Sequence, residues 1–247
     1  MGLSPIEAAI ASANAVSALT SRFMLDGPTY VRGGELGFQG MDFYTAGRGG
    51  VLGDVDADVV QAAFVFFSPT TVRTSWDASR TVAPRDVAAT EFAACAHRWA
   101  VAHLPETFDA ARLAELAGRI AAAADPALAP VFAGWRALAE PEVIEGDARA
   151  LAVHRMNSIR ELRNARHAVA VVAAGIDPAD AVVHRSPQMA PLFGWVDITL
   201  DADDVASRWA DAETATDVLL APALAALDEN ERAEFVALAN EAEALSR

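Results

Sequence analysis

Residues 154–167, His-Arg-Met-Asn-Ser-Ile-Arg-Glu-Leu-Arg-Asn-Ala-Arg-His, gather the side chains best suited to chemistry in an otherwise alanine- and valine-rich chain. At about 100° per residue, the seven helical steps from His154 to Glu161 leave the two within about 20° of each other. Asn157 and Ser158 flank that line. Arg160, Arg163 and His167 form a second stripe roughly 120–180° away from His154 on the same arithmetic. Met156, Ile159 and Leu162 take the remaining side. The run that follows, Ala168 to Gly175, is wholly apolar and implies burial, and polar groups at the mouth of a buried helix must find partners. Two arrangements fit. One is a solvated face laced with Glu–Arg pairs. The other is a pocket wall, with Arg160 and Arg163 gripping an anionic group in a fork and His154 or His167 exchanging a proton, oriented by Glu161.

A second cluster lies in Phe-Tyr-Thr-Ala-Gly-Arg-Gly-Gly-Val-Leu-Gly, residues 43–53. Arg48 sits there among glycines, which let a backbone come close to a ligand or to another helix. Tyr44 adds a hydroxyl; Phe38, Phe43, Phe64, Phe66 and Phe67 supply aromatic surface that more often builds a core. The glycines at 47, 49, 50 and 53 miss the dinucleotide-loop spacing, and no strand precedes them. His97 and His103, six apart, cannot share a helix face. Cys95 reads as a small core residue, and His184 as a helix-terminal histidine favoured by the dipole.

What is missing bounds the chemistry. All 19 basic residues are arginine. Without lysine there is no Schiff base, no pyridoxal-phosphate anchor and no phosphate-loop lysine. The net charge of −15 opposes attachment to polyphosphate or anionic membrane. None of the five histidines has a glutamate three residues before it, and His-Glu-x-x-His, His-x-Asp/Glu, paired cysteines and Gly-x-Ser-x-Gly are all absent. The sequence names no cofactor. One cysteine gives no intrachain disulfide and suits a reducing compartment. The N-terminus lacks a basic leader, and no apolar run is long enough to span a membrane, so a cytoplasmic location is expected.

The elements that must position these residues are helical. Ser4-Pro5-Ile6-Glu7 reads as a capping box, opening a helix to about Arg22. Nine of the fifteen glycines fall in 26–53, where loops and one short helix (35–46) are expected. Asp56 and Ser68-Pro69 start two short helices. Further helices are expected at 84–103, 109–124, 127–138, 146–174, 178–185, 202–220 and 228–245, with Gly175 ending one and Asp177-Pro178 starting the next. Residues 195–200, Trp-Val-Asp-Ile-Thr-Leu, are the best strand. Pro187 and Pro191 mark a boundary between a helical domain, 1–186, and a C-terminal helical part, 187–247.

With these residues in view, the chain resembles the SalK-type helix-turn-helix family of high-GC bacteria. The resemblance rests on 43–53, on Phe-Val-Phe-Phe-Ser-Pro-Thr-Thr-Val (64–72), on 151–175 and, more loosely, on 213–227. It implies a winged-helix DNA reader, and its polar pattern falls on Arg48, His154, Arg160, Glu161 and His167. Between Gly194-Trp195 and Thr216-Asp217, however, stand Asp197, Asp201, Asp203, Asp204, Asp211 and Glu213 against Arg208 alone. A recognition helix needs cations for phosphates, so the reader looks shortened and acidified.

The expectation is therefore an all-α multi-helix bundle with a degenerate winged-helix-like C-terminal part around 187–217. The leading functional expectation is a small-molecule-handling protein, either a binding module or a lysine-independent acid–base enzyme. Its catalytic residues would be His154, His167 and Glu161; Arg48, Tyr44, Asn157, Arg160 and Arg163 would bind the ligand. The partner would be a small polar or anionic molecule, with nucleic acid disfavoured, no membrane and a homodimer allowed. The alternatives are a ligand-responsive winged-helix transcription regulator and a histidine-ligated metal or haem protein using His154, His167 or His97.

Overall fold

The computed structural model describes residues 2–140, 147–199 and 202–247. Among them are twelve α-helices and no strand: α1 (Pro5–Met24), α2 (Gly27–Leu36), α3 (Asp42–Gly49), α4 (Ala57–Ala63), α5 (Pro69–Ser79), α6 (Arg85–His103), α7 (Ala110–Ala123), α8 (Pro130–Ala137), α9 (Ala148–Ala173), α10 (Pro178–Arg185), α11 (Ala202–Leu224) and α12 (Glu229–Leu245). The all-α bundle anticipated from periodicity is what folds. Local chemistry sets many of the helix ends. Capping boxes open α1 (Ser4, Glu7) and α12 (Asp228, Glu231). Ser68, Asp109, Asp147 and Asp177 accept from the first backbone N–H groups of α5, α7, α9 and α10. Gly175, at φ +72°, turns the chain out of α9 in a conformation that costs glycine little.

The 26-residue α9 is the axis of the bundle. It packs against α7, α11, α6, α8 and α1, while α12 lies on α1. The main core is built around Phe23, Phe43, Phe64, Trp76, Phe92, Phe132, Trp135 and Phe235, with alanines filling the gaps. A smaller apolar cluster joins the end of α9 to α10 and α11 through Val171, Ile176, Ala181, Val205 and Ala212. The far half of α11 (Leu220, Ala223, Leu224) returns to the main core with α12.

Two local expectations are corrected. The glycine-rich region is mostly helix: α2 and α3 replace the single 35–46 helix, with Gly37 at φ +99° between them. Tertiary packing overrides the low helical propensity of glycine. A Cβ on Gly33 would stand 2.8 Å from Phe43, one on Gly47 2.5 Å from Phe92, and one on Gly50 2.3 Å from the Arg85 carbonyl oxygen. The residues expected as a strand, 195–200, form none where they are described. Among the described residues no neighbouring strand offers a hydrogen-bond ladder. Instead the Trp195 indole donates to the Phe66 carbonyl at 2.8 Å, and Asp197 sits at φ +57°.

Substituting Gly47→Ala should therefore force α3 off α6 and destabilise the chain by about 1–3 kcal/mol, the usual range for overpacking. Gly34→Ala in α2, where nothing lies within 4 Å of the added carbon, should be neutral or stabilising. Chemical denaturation of the two variants makes the comparison.

Candidate functional site

Glu161 lies at the middle of α9 and is completely enclosed. Arg48 reaches it from α3 in a two-pronged grip, Nε to Oε1 and Nη2 to Oε2, each 2.8 Å. The two side chains are 3% and 1% exposed. Arg160 adds a third bond, Nη1 to Glu161 Oε1 at 2.6 Å. Arg48 also contacts the Tyr44 hydroxyl at 3.4 Å, lies 4.3 Å over the Phe64 ring, and receives the Trp135 indole on its own carbonyl at 3.4 Å. Burial on its own would raise the Glu161 carboxyl pKa; the charges of Arg48 and Arg160 and their hydrogen bonds overcome that and hold it below the usual range. Burial pulls the Arg48 pKa down, while Glu161 pulls it back and leaves it above the ordinary arginine value. The cluster holds two cations and one anion, and Arg160, partly exposed, carries the excess charge toward water.

His154 is also buried, one turn of helix beyond Asn157 and Ser158. Its Nδ1 meets Nε2 of His97, from α6, at 3.1 Å. Burial drives both imidazoles from 6.5 to about 4; for His97 the charge of His154 and then Arg98 add to the effect, and for His154 Arg155 adds while Glu140 opposes. Both rings are neutral at pH 7, so His154 is not poised for proton exchange near neutrality. Both amide atoms of Asn157 have no hydrogen-bond partner among the described residues. The outer edge of His154 borders a cleft of about 590 Å³ with Ser158, Arg155, Arg119, Arg136 and Glu140.

His167 belongs elsewhere. It lies thirteen residues along α9 from His154, about 20 Å at 1.5 Å per residue. Its Nδ1 is 3.0 Å from the Thr216 hydroxyl, and its ring lies between Phe66 and Trp209. Thr216 gives its own hydrogen to the Ala212 carbonyl, so it accepts from His167. Arg163 pairs with Glu213 at 3.2 Å and Asp217 at 3.7 Å.

The residues expected to form one site are thus divided among three places. Arg48, Tyr44, Arg160 and Glu161 meet. His154 and Asn157 form a second, separate polar patch, and His167 with Arg163 a third. The fork of Arg48 is spent on Glu161 and is not open to an incoming anion. His97, Trp135 and Thr216 complete these clusters; the sequence reading offered His97 only as a metal or haem ligand and missed all three pairings, because each partner comes from a different helix and no spacing rule links them. Among the described residues, no three histidine, cysteine, aspartate or glutamate side chains converge in a way that could hold a metal ion. None of their helices is long and apolar enough to cross a membrane.

An all-helical bundle with an internal arginine–glutamate lock is the class that this fold defines. Residues 9–246 match the helix-turn-helix family, and the chain belongs to that family. No curated protein and no solved structure matches the chain. Family membership over nearly the whole chain overturns two expectations: a stand-alone small-molecule-handling protein, and nucleic acid as a disfavoured partner. The first rested on polar residues of α9, which turn out to be paired with side chains of α3, α6 and α11; the second rested on acidic charge summed over the chain and on the acidic residues before Thr216, which do not describe every surface.

Glu161→Gln should leave Arg48 buried beside a neutral amide and cost about 3–5 kcal/mol of stability, measured by denaturation; a loss below about 1 kcal/mol would show that the lock is dispensable. Acid should also weaken the fold through the histidines. Their folded pKa values lie below the unfolded 6.5, so the unfolded chain binds more protons, and stability falls as pH drops from 6.5 toward 4. His97→Gln should flatten the slope of melting temperature against pH in that window.

Proposed function

We propose that the chain is a DNA-binding transcription regulator and that α4 and α5 are its reading unit. The family match over 9–246 carries the first part. The second rests on local geometry: α4 (seven residues), a turn at 64–68 and α5 (eleven residues) form a short helix–turn–helix. The turn is clamped, with Gln61 Nε2 donating to the Phe67 carbonyl at 2.9 Å and the Ser68 N–H to the Phe193 carbonyl at 2.8 Å. Trp76 fixes the back of α5. It is fully buried, its indole donates to Val55 O at 2.8 Å, and the Arg85 guanidinium stacks 3.5 Å over its ring. The opposite face points outward and carries Thr70, Arg73 and Thr74. In helix-turn-helix proteins the N-terminal residues of the second helix touch base edges. Arginine pairs with guanine, and threonine serves either hydrogen bonding or the thymine methyl.

The acidic neighbourhood has a specific consequence. Arg73 is held by Asp58, with side-chain exposures of 57% and 78%, and Arg80 by Asp54 at 3.5 Å. Exposed pairs of this kind are worth about 0–1 kcal/mol, so a phosphate or base can displace the carboxylate at small cost. The N-terminal turn of α11, bearing Asp203 and Asp204, would repel a phosphate backbone and is the poorer reader. The stretches at 43–53, 64–72 and 151–175 support placement in the SalK-type branch. A regulator of this kind works in the cytoplasm, where bacterial DNA lies, and as a homodimer reads two half-sites one DNA turn apart. On this reading 1–186 is the reading and structural body and 187–247 its C-terminal helical part.

The test is selection from a pool of random duplexes at low salt, followed by titration of the enriched site. Enrichment of a defined sequence is expected. Arg73→Ala should lower its affinity by about 1–3 kcal/mol, and Asp58→Ala, which releases Arg73, should raise it. No enrichment at low salt would end the DNA-binding reading. Enrichment that Arg73→Ala leaves unchanged would move the reader away from α5.

A further inference from the structure

Between the end of α9, α10, the chain at Phe193 and α11 lies a cavity of about 160 Å³. Its walls are aromatic: Phe66, Phe193, Trp209 and the ring of His167. Asn164, Arg185 and Ser186 stand at the same cavity. None of these three side chains takes part in a hydrogen bond or ion pair among the described residues, whereas almost every other arginine of the chain is tied to a carboxylate or a carbonyl. Arg185 is exposed at the last turn of α10 and lies near enough to His167 to help hold that imidazole neutral. His167 commits its Nδ1 proton to Thr216, which leaves Nε2 an acceptor, with no hydrogen bond to it among the described residues.

We infer that this cavity is a binding site for a single-ring aromatic carboxylate, with the ring held among Phe66, Phe193 and Trp209 and the carboxylate in the fork of Arg185. Size is the first argument. An engineered protein cavity of about 150 Å³ takes up benzene, so the volume suffices for one ring. Chemistry is the second. Binding pockets pair apolar walls with a few convergent polar groups, and an uncommitted guanidinium matches a carboxylate in two parallel hydrogen bonds. Ser186 and Asn164 add further hydrogen-bond donors to the lining. The site is separate from the Arg48–Glu161 lock and from the face of α5, and it does not depend on the DNA-binding reading. Because α9, α10 and α11 all contribute, an occupant would tie together the three helices of the smaller apolar cluster.

The test is a calorimetric titration of the full chain with benzoate, without DNA, together with Trp209 emission read as the difference between the chain and Trp209→Phe. Saturable binding of benzoate is expected, with no response to acetate, which has the charge but no ring. Arg185→Ala is a surface change that leaves the fold intact. It should weaken benzoate at least tenfold and leave the weaker binding of benzyl alcohol unchanged. Absence of benzoate binding, or benzoate binding equally to Arg185→Ala, would overturn the assignment. Binding of acetate as tightly as benzoate would also overturn it, by removing the role of the aromatic walls.

Discussion

The architecture depends on one buried ion pair. Arg48 and Glu161 come from helices more than a hundred residues apart in sequence, and each is almost wholly removed from water. Neither could be enclosed alone, since an isolated buried charge costs several kcal/mol. Their meeting therefore fixes α3 against the middle of α9. The surrounding features follow from that demand. Glycines let α3 pack closely on α2 and α6, Phe64 covers the guanidinium, Tyr44 and Trp135 bind what remains of Arg48, and Arg160 connects the cluster to the surface. A hydrophobic pair would hold the same helices with less specificity of register, whereas a two-pronged contact tolerates little sliding.

Most of the helical fold was legible in the sequence. Ser4, Asp109, Asp177 and Asp228, and proline at the first helical positions, mark helix starts by local chemistry, and Gly175 marks an end. The 26–53 region was misread because glycine usually signals loops. Here it signals close approach, which depends on Phe43, Phe92 and the Arg85 carbonyl, and none of these is a sequence neighbour. The strand at 195–200 failed for a related reason. Alternation is a local pattern, but a strand exists only if another one pairs with it.

The polar residues of α9 show where sequence stops informing about a site. Helical arithmetic placed His154, Asn157, Ser158 and Glu161 on one buried face, and they do share it. It could not say what stands opposite. The partner of Glu161 proved to be Arg48, that of His154 proved to be His97, and that of His167 proved to be Thr216. A row of chemically able groups became three internal contacts, and the α5 residues on which the proposed reading face rests, Thr70, Arg73 and Thr74, are unremarkable in sequence. Net charge misled in the same way, because it averages over surfaces that need not meet a partner.

Helix α9 has one more property, which comes from its length. Its 26 residues make a rod of about 39 Å at 1.5 Å per residue, and Glu161 sits near the halfway point. Its strongest polar anchor thus lies midway between its two ends. A tilt of about 5° at the anchor would carry either tip by roughly 1.7 Å, given that rise per residue. The C-terminal tip bears the cluster shared with α10 and α11, and near the other end Arg149 donates to the Leu104 carbonyl. A straight rod that turned about its middle would carry its two ends in opposite directions.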